Sequence, residues 1–518
     1  MKQAGFKLAL AFFVLLFLAA CVVLEPDFVG PKTWTFSSMD RVARGEWESL
    51  DSRTITRISA ARNEYEAFQL NIRAPSGGLH TVQVTVSPFQ HEAGYSLPDA
   101  KLYREHYVHV DRGGFAGSPV NRNRALGAGW YADALIPFEA PGTAEIPSHP
   151  FNVEARQNQP VWVDVFIPED APAGLYTSRY TVESAEGTST GTIELEVWDF
   201  SLPKTPSLKS SFIIWDEKTP AMRDLLLEHK LMPRNTPVDE QADRIANDGL
   251  NAADLRFWAH SDIDCQFDNP PSVEEIKARL ANYQHNLLVY NYSADEIDRC
   301  SNITDKMRAW GRNLHEAGVP QLVVMFPQRQ LFDDGNGRSA VDIWVFSPEL
   351  YVENRDAQAI LDEALAISEA WSYTALMKLD DIPKWGIDFM PMNYRIMQGF
   401  LNQRYGLTGL LYWRVNLWQA NPWRDVTSNE ATWPAGEGML VYPGEQIGQS
   451  DPVPSLRLKW LREGVDDFEY GQILRDRGQE NQLKQLIRPA AQDWRTWTKD
   501  PLVIEDVRQS LAQAILGQ

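Results

Sequence analysis

Two pairs of adjacent acidic residues lie where apolar runs of the chain end. Asp295-Glu296 follows the run Asn286–Tyr292, and Asp380-Asp381 follows the run Tyr373–Leu379. Neighbouring carboxylates make each other harder to ionise, so one of them can stay protonated near neutral pH and donate a proton. The other can supply negative charge beside a positively charged transition state. Both pairs are therefore candidates for acid–base chemistry, although paired acids also occur in solvated loops and at helix caps.

A group of aromatic and amide side chains follows the last apolar run of the same region. Flat apolar rings beside amide and charged groups suit a sugar ring, which has an apolar face and a rim of hydroxyls. The same rings could instead fill the top of a hydrophobic core, and any single tryptophan fits both interpretations. The candidate contacts at this place are Trp413, Asn416, Trp418 and Trp423, and further candidates are Trp344 at the sixth run and Tyr292 at the fourth.

The elements that position these residues change in character near residue 205. Up to that point, short runs rich in Val, Ile, Tyr and Phe alternate with Gly/Pro turns, which predicts a β-sandwich. Beyond it, strand-like runs alternate with stretches of helical period, which predicts βα units around a parallel sheet. We count eight such runs: Ser211–Trp215, Lys230–Arg234, Asp254–Trp258, Asn286–Tyr292, Gln321–Phe326, Val341–Phe346, Tyr373–Leu379 and Leu407–Arg414.

Eight strands with intervening helices predict a (β/α)₈ barrel, in which the carboxyl ends of the strands form the active face. Candidate helices are Ser272–His285, Thr304–Ala317, Asp356–Trp371 and Tyr394–Gln403. The predicted fold class is thus a β-sandwich followed by a (β/α)₈ barrel and a C-terminal helical extension. The predicted boundaries are 1–20 for a signal peptide, 21–205 for the sandwich, 206–450 for the barrel and 451–518 for the extension.

Composition limits the classes of function. The chain has 518 residues, 44% apolar and 23% charged, with a net charge of −21. This is the composition of a globular protein. The acidic balance argues against a general nucleic-acid binder, which needs clustered Lys and Arg. No cofactor is expected, and the oligomeric state cannot be read from the sequence.

The N-terminus has the features of an export signal. Lys2 and Lys7 precede the apolar run Leu8–Ala20, which is short for a membrane span and typical of a signal-peptide core. The run ends in Leu18-Ala19-Ala20-Cys21, which resembles a bacterial lipobox; a plain signal peptide or short anchor is the alternative. We expect a lipidated Cys21 and an envelope protein tethered to the outer membrane, on a face that the sequence does not indicate.

Few residues are available for a metal site or a disulfide. Cys265 and Cys300 are the only other cysteines, and they could pair in an oxidising compartment or remain free. His106 and His109, offset by three on one strand, are expected to point to opposite faces, so we predict no metal site there.

Several segments together resemble one bacterial family. The sandwich carries Arg62-Asn63-Glu64-Tyr65-Glu66-Ala67-Phe68-Gln69 and Gln159-Pro160-Val161-Trp162-Val163-Asp164-Val165. The tail carries Tyr442-Pro443-Gly444 and Pro454-Ser455-Leu456-Arg457-Leu458-Lys459-Trp460-Leu461-Arg462-Glu463-Gly464. In order and spacing these segments are similar to a bacterial family of unknown-function domains related to glycoside hydrolase family 123. The likeness spans residues 40 to 475.

The resemblance implies a sandwich-plus-barrel glycosidase that removes N-acetylhexosamines, β-linked N-acetylgalactosamine above all, with retention of configuration. It implies that Glu296 is the acid/base and that Asp295 polarises the substrate acetamide, whose own carbonyl oxygen attacks the anomeric carbon. Ile297 follows Glu296 where family members often have proline. We expect exo action on a 2-acetamido-β-hexoside.

Two alternatives remain open on the sequence alone. Asp380 or Asp381 could be a nucleophile for a sugar without an acetamide, although a hydroxyl contact or a capping role is favoured for both. The chain could also be a glycan-binding envelope lipoprotein without catalysis. The acidic pair of the tail, Asp466-Asp467, is expected to be structural, and Arg395 could pair with an acid on its own helix.

Overall fold

The structure is a computed structural model that describes residues 27–45, 55–113, 123–215, 220–261, 264–418, 421–424, 426 and 433–517. The signal segment 1–20 and the predicted lipidation site Cys21 lie outside the described residues. None of the helices in these ranges is both long and apolar enough to cross a membrane.

Eleven strands build the N-terminal half of the described chain as two facing sheets. The first sheet has the order β1-β3-β9-β6-β7, and the second has the order β2-β11-β10-β4-β8, with β5 paired to β10. The strands are β1 (Lys32–Ser37), β2 (Arg57–Arg62), β3 (Glu64–Arg73), β4 (Leu79–Val86), β5 (Gln90–His91), β6 (Lys101–Val110), β7 (Gly129–Pro137), β8 (Phe151–Val153), β9 (Asn158–Ile167), β10 (Gly174–Ser184) and β11 (Gly187–Ser201).

The two central strands of the first sheet are buried on both faces. On β3, Phe68, Leu70 and Ile72 point into the apolar core between the sheets, as the alternation of a strand requires. Ala67 and, on the paired strand β9, Trp162 point the other way into a second core shared with the barrel and the C-terminal helices. The sandwich is therefore joined to the rest of the chain by a continuous hydrophobic core.

A parallel sheet of seven strands curls into a barrel after residue 208. Its order is β12-β18-β17-β16-β15-β14-β13. The strands are β12 (Lys209–Phe212), β13 (Ala252–Asp254), β14 (Leu288–Ala294), β15 (Gln321–Val324), β16 (Ile343–Phe346), β17 (Glu369–Thr374) and β18 (Gly409–Tyr412).

Helices cover the outside of this barrel. They are α1 (Pro220–Glu228), α2 (Val238–Asp248), α3 (Val273–Leu280), α4 (Thr304–Glu316), α5 (Pro348–Glu353), α6 (Ala357–Leu365), α7 (Met392–Ile396) and α8 (Asn402–Tyr405), with a π-helical turn at Met397–Leu401. Ser272 begins α3 with a complete capping box, in which its hydroxyl accepts from the Glu275 amide and the Glu275 carboxylate accepts from the Ser272 amide.

The gap between β12 and β13 is filled by an irregular eighth segment. Phe212 donates its amide hydrogen to Met232 and accepts one from Arg234, and the Asp254 amide donates to the Arg234 carbonyl. Pro233 lies in the middle of this segment, lacks an amide hydrogen and forms a single bridge to Phe212. The predicted fold class is confirmed, except that the predicted second strand is reduced to this bridge and the barrel is nearly closed.

The C-terminal part packs against both halves. It contains a short hairpin of β19 (Val441–Tyr442) and β20 (Val453–Pro454), followed by α9 (Leu456–Asp476), α10 (Glu480–Leu486) and α11 (Pro501–Leu516). Helix α9 is almost wholly buried and reaches the sandwich with charged side chains. Asp164 on β9 accepts from Lys459 at 2.8 Å and from Arg462 at 2.6 Å. These contacts fix the sandwich against α9.

Candidate active site

The Asp295-Glu296 pair lies at the carboxyl end of a barrel strand. Both residues directly follow β14, and the Asp295 amide donates to the Ser261 carbonyl at 3.1 Å in the loop after β13. Glu296 has a φ of +48°, in the left-handed region that a residue with a Cβ rarely adopts. Backbone strain of this kind is concentrated at functional sites. The turn therefore presents two adjacent carboxyl groups at the mouth of the barrel.

Glu296 is exposed and still bonded to the barrel interior. The hydroxyl of Tyr373, on β17, donates to Oε1 of Glu296 at 3.2 Å. Burial raises the pKa of Tyr373 well above its ordinary value, and the charges of Asp295 and Glu296 raise it further. Tyr373 thus remains a neutral donor, and it orients a carboxyl group that solvent and substrate can reach.

Asp295 has its own tyrosine partner. The hydroxyl of Tyr292, three residues earlier on β14, hydrogen-bonds the Asp295 carboxylate. Burial and then the Asp295 charge raise the pKa of Tyr292 well above its ordinary value. The Tyr292 ring lies 4.6 Å from the Arg234 guanidinium and edge-on to Trp258. Tyr292 is only 2% exposed. Its predicted role as a sugar contact is therefore corrected to orientation of Asp295.

A third carboxyl group, Glu437, lies at the mouth in a position that the sequence did not indicate. It accepts from Trp413 Nε1 at 3.2 Å, from the Tyr412 hydroxyl at 3.4 Å and from the backbone amide of Leu376. Burial raises its pKa to about 7. The residue stands in a loop without periodicity, and only its two glycine neighbours could have drawn attention to it. At Gly438, with φ of +76°, a Cβ would lie 2.6 Å from the Trp413 ring.

Trp413 is the aromatic candidate that the structure places at the mouth. It is half-buried, packs edge-on against Trp433 at 5.8 Å between ring centroids, and is held by Glu437. Its fixed orientation and partial exposure leave it available to a ligand ring.

Two family models match the chain. The model described as "Glycoside hydrolase 123 N-terminal domain" matches residues 43–184, and the model described as "Glycoside hydrolase 123, catalytic domain" matches residues 359–474. The chain belongs to a family related to glycoside hydrolase family 123. It is a glycoside hydrolase, and its substrate is a carbohydrate. The catalytic-domain match includes Tyr373, Trp413 and Glu437 but begins after Asp295-Glu296, so the assignment of that pair depends on geometry and on the resemblance described above.

One solved structure agrees with this fold. A family 123 glycoside hydrolase from Clostridium perfringens, described for glycolipid glycan hydrolysis, aligns with a TM-score of 0.65 at 14% identity, covering 94% of this chain and 98% of that one. A β-glucuronidase from Parabacteroides merdae aligns with a TM-score of 0.30 at 11% identity, covering 79% and 50% of the two chains. No curated protein matches the sequence at a significant level. The first alignment shows the fold of the hydrolase, and the second is too weak to support a conclusion.

Two of the predicted sugar contacts of this family 123-related hydrolase fix its loops instead. The Asn416 amide accepts from the Trp215 backbone amide at 3.1 Å and donates to the Trp215 carbonyl at 2.5 Å, which ties the loop after β18 to the loop after β12. Trp418 donates through Nε1 to the Val441 carbonyl at 2.8 Å. Neither polar group is left for a ligand.

Two other tryptophans are placed away from the mouth. Trp344 is fully buried; its Nε1 donates to Ser368 Oγ at 3.0 Å, and its ring packs outside the barrel wall. Trp423 is also buried; its Nε1 donates to the Pro443 carbonyl at 2.8 Å, and its ring packs beside His106 of the sandwich. The burial of both rings leaves the predicted contacts with a substrate at the mouth without support, and Trp423 lies in the wall of a separate cleft.

The second acidic pair of the barrel is also displaced. Strand β17 ends at Thr374, so Asp380 and Asp381 lie in a loop and not at the strand end. They line a separate depression of about 360 Å³ with Arg495, whose wall includes neither Asp295 nor Glu296. The Asp381 carbonyl accepts from Trp497 Nε1 at 2.8 Å, and the Asp380 carbonyl accepts from Lys384 Nζ at 3.1 Å. Their predicted contact with substrate in the hydrolase mouth is therefore corrected.

A disulfide braces the turn that carries Glu296. Cys265 and Cys300 are bonded, with Cα atoms 5.4 Å apart, which settles the pairing that the sequence left open. Cys300 is four residues beyond Glu296, and Cys265 lies in the loop after β13. The bond therefore links two adjacent loops of the barrel mouth. Within the described ranges, no cluster of three or more His, Cys, Asp or Glu side chains could hold a metal ion.

Proposed function

We propose that this hydrolase removes a terminal 2-acetamido-β-hexose, such as N-acetylgalactosamine, with retention of configuration and with the substrate acetamide as nucleophile. The observation that carries the proposal is the adjacency of Asp295 and Glu296 on one turn, each bonded to a different tyrosine. It is supported by the resemblance of the chain to family 123 and by the glycolipid glycan hydrolysis named for its solved relative.

Adjacent carboxyl groups suit substrate-assisted chemistry better than a protein nucleophile. A retaining enzyme with a carboxylate nucleophile needs its two carboxyl groups on opposite sides of the glycosidic bond, about 5–5.5 Å apart. Asp295 and Glu296 approach from one side because they share a turn. The depression that holds Asp380 and Asp381 includes neither of them, so a nucleophile at that position has no geometric support.

The reaction follows from these positions. Glu296 donates its proton to the glycosidic oxygen as the bond to C1 breaks, and the acetamide carbonyl oxygen of the substrate forms a bond to C1. Asp295, oriented by Tyr292, accepts a hydrogen bond from the acetamide N–H and stabilises the positive charge of the resulting cyclic intermediate. Water then attacks C1, gives its proton to Glu296 and reopens the ring. Two inversions at C1 give net retention.

The test compares substrates that do and do not carry the acetamide. Residues 22–518 should hydrolyse an aryl N-acetyl-β-galactosaminide, or its glucosaminide, and not the matching aryl β-galactoside. Asp295→Asn should lower kcat about 100-fold, the scale of one lost electrostatic contact to the transition state. Glu316→Gln, an exposed carboxyl group on α4, is the matched control and should leave kcat unchanged. Efficient turnover of the plain galactoside, or a covalent sugar adduct on a carboxylate, would contradict the proposal.

We also propose that the enzyme is anchored in the bacterial envelope through a lipid on Cys21. The support is the sequence alone: basic residues, the apolar run Leu8–Ala20 and a cysteine directly after it. Cells expressing the full chain should incorporate labelled palmitate into it, and Cys21→Ser should abolish the label and release the protein from the membrane fraction. A labelled Cys21→Ser chain would refute the assignment.

A further inference from the structure

A second cleft, of about 910 Å³, lies where the sandwich meets the loops that follow β18 and β19. Its walls come from β6 and β7, from the segment after β8, and from the loops that follow β18 and β19. Asp295, Glu296 and Tyr373 do not line it. Nothing in the proposed reaction uses this cleft.

Arg104 is buried in the wall of this cleft without a neutralising partner. It is 8% exposed, and no carboxylate of the described chain lies within salt-bridge distance of it. Its one acceptor is Gln159 Oε1, at a long 3.4 Å from Nη1, and its Nε has no hydrogen-bond partner. Burial lowers its pKa to about 10, so it is charged at neutral pH. A buried unpaired charge is costly, which points to an anionic ligand.

An exposed tryptophan stands in the same cleft. Trp130 is 47% exposed, an unusual state for so large an apolar side chain. The Arg44 guanidinium lies 4.8 Å from its ring centroid, and the His109 ring lies 5.1 Å away. Arg44 uses Nε to donate to Gln157 Oε1 at 2.7 Å. A ring face beside a guanidinium suits a sugar ring that carries an acidic substituent.

The two histidines of β6 also meet in this cleft. Both line the cavity, with His106 beside the Trp423 ring and His109 beside the Trp130 ring. The Trp423 carbonyl lies 2.8 Å from His106 Nε2. Burial, and then the charge of Arg104, lower the pKa of His106 to about 4. His106 is therefore neutral and donates to Trp423, so it is part of the wall.

Negative charge is confined to the rim. Glu145, Glu154 and Glu445 line the cleft, but all three are exposed to solvent. Arg424, also at the rim, lies 3.9 Å from Glu145. The deep end of the cleft thus retains the positive charge of Arg104, screened by no acid at contact distance.

We propose that this cleft is a second, non-catalytic binding site for an acidic glycan, with a carboxylate or sulfate group at Arg104 and a sugar ring on Trp130. The site would hold an acidic polymer or glycoconjugate on the sandwich while the barrel acts elsewhere. The binding does not depend on hydrolysis, so it can be tested in a chain without catalytic activity.

The experiment is isothermal titration of residues 22–518 carrying Glu296→Gln. The probes are tetragalacturonate, which carries carboxylates, a κ-carrageenan tetrasaccharide, which carries sulfates, and neutral galactotetraose. None contains a 2-acetamido group, so the barrel site does not compete. We expect at least one acidic probe to bind and the neutral probe not to bind. The acidic probe with the higher affinity identifies the anionic group, carboxylate or sulfate.

Variants locate the site. We expect the affinity for the acidic probe to fall at least tenfold in each of the variants Trp130→Ala, Arg44→Gln and Arg104→Gln. Arg179→Gln, an exposed arginine on β10 of the other sheet, should leave it unchanged. If Arg104→Gln does not fold, the two more accessible variants decide. Absence of binding by both acidic probes, binding unchanged in the Trp130 and Arg44 variants, or equal affinity for inorganic sulfate alone would overturn the proposal.

Discussion

Two acidic pairs of the same chain, Asp295-Glu296 and Asp466-Asp467, have opposite surroundings. Asp467 is buried and accepts two hydrogen bonds from Arg395, from Nε at 2.6 Å and from Nη2 at 2.9 Å. Asp466 is bonded to Lys230. The pair at the barrel mouth is at least partly exposed, and its identified donors are tyrosine hydroxyl groups.

The comparison shows that a pair of adjacent acids can serve either the structure or the chemistry of a protein. A carboxylate bonded to a buried guanidinium contributes to the junction between helices. A carboxyl group oriented by a neutral hydroxyl keeps its orientation and remains able to exchange a proton with a ligand. The expectation that Asp466-Asp467 is structural agrees with these contacts, and Arg395 does pair with an acid, although on another helix.

The largest expected effect separates the two pairs by stability. Asp467→Asn leaves Arg395 with a weakened partner in a buried position, and breaking such a pair costs about 3–5 kcal/mol in the free energy of unfolding. Glu296→Gln, at an exposed position, should change it by less than about 0.5 kcal/mol. Urea unfolding of both variants measures this. A Glu296 variant as unstable as the Asp467 variant would mean that the mouth pair is structural too.

The disulfide gives the next effect. Replacing both Cys265 and Cys300 by serine removes a link across 35 residues, and the free energy of unfolding should fall by about 2–4 kcal/mol. Because the bond braces the turn of Glu296, kcat should fall as well, with less change in KM. Activity measured below the unfolding transition separates the two effects. A kcat equal to that of the wild type would show that the turn is held without the bond.

Tyr373→Phe should affect the chemistry more than the fold. Loss of the hydroxyl that orients Glu296 should lower kcat about tenfold, the scale of one hydrogen bond to a charged group. Tyr351→Phe is the control, since the Tyr351 hydroxyl donates to Gln358 at 2.8 Å on the helical surface. Equal losses in the two variants would contradict a specific role for Tyr373.

The smallest effect concerns pH. Burial raises the pKa of Glu437 from 4.5 to about 7, so the folded chain binds more protons than the unfolded chain between those values. Stability that depends on Glu437 therefore falls as pH rises from about 4.5 to 7. As pH rises through that window, the Tm of the wild type should fall relative to the Tm of Glu437→Gln. A difference that does not vary with pH would show that Glu437 ionises normally.

Short runs separated by Gly/Pro turns made the sandwich predictable as a class, and apolar runs made most barrel strands predictable. The helix predicted over Asp356–Trp371 continued too far, because the helical period persists beyond Leu365, where α6 ends, into β17. Because of that error the strand was predicted to end at Leu379 and not at Thr374, which placed Asp380 and Asp381 at the strand end.

The site was predictable only in part. Asp295 and Glu296 could be placed because a clear strand ends just before them. Glu437 could not, since a loop residue is brought to the mouth by contacts with Trp413 and Tyr412 that leave no period in the sequence. Composition does not distinguish a ring in the core from one in a cavity, so the sequence could not separate the buried Trp344 and Trp423 from the half-buried Trp413.

The most direct test of the central claim, that Glu296 protonates the departing oxygen, varies the leaving group. Wild type and Glu296→Gln should be compared on 2,4-dinitrophenyl and 4-methylumbelliferyl N-acetyl-β-galactosaminides. The dinitrophenyl group leaves without a proton, so kcat/KM for that substrate should fall less than about tenfold in the variant. For the methylumbelliferyl substrate, kcat/KM should fall by at least about 100-fold, within the range for general acid catalysis. Equal losses on both substrates, or no loss on either, would contradict the account.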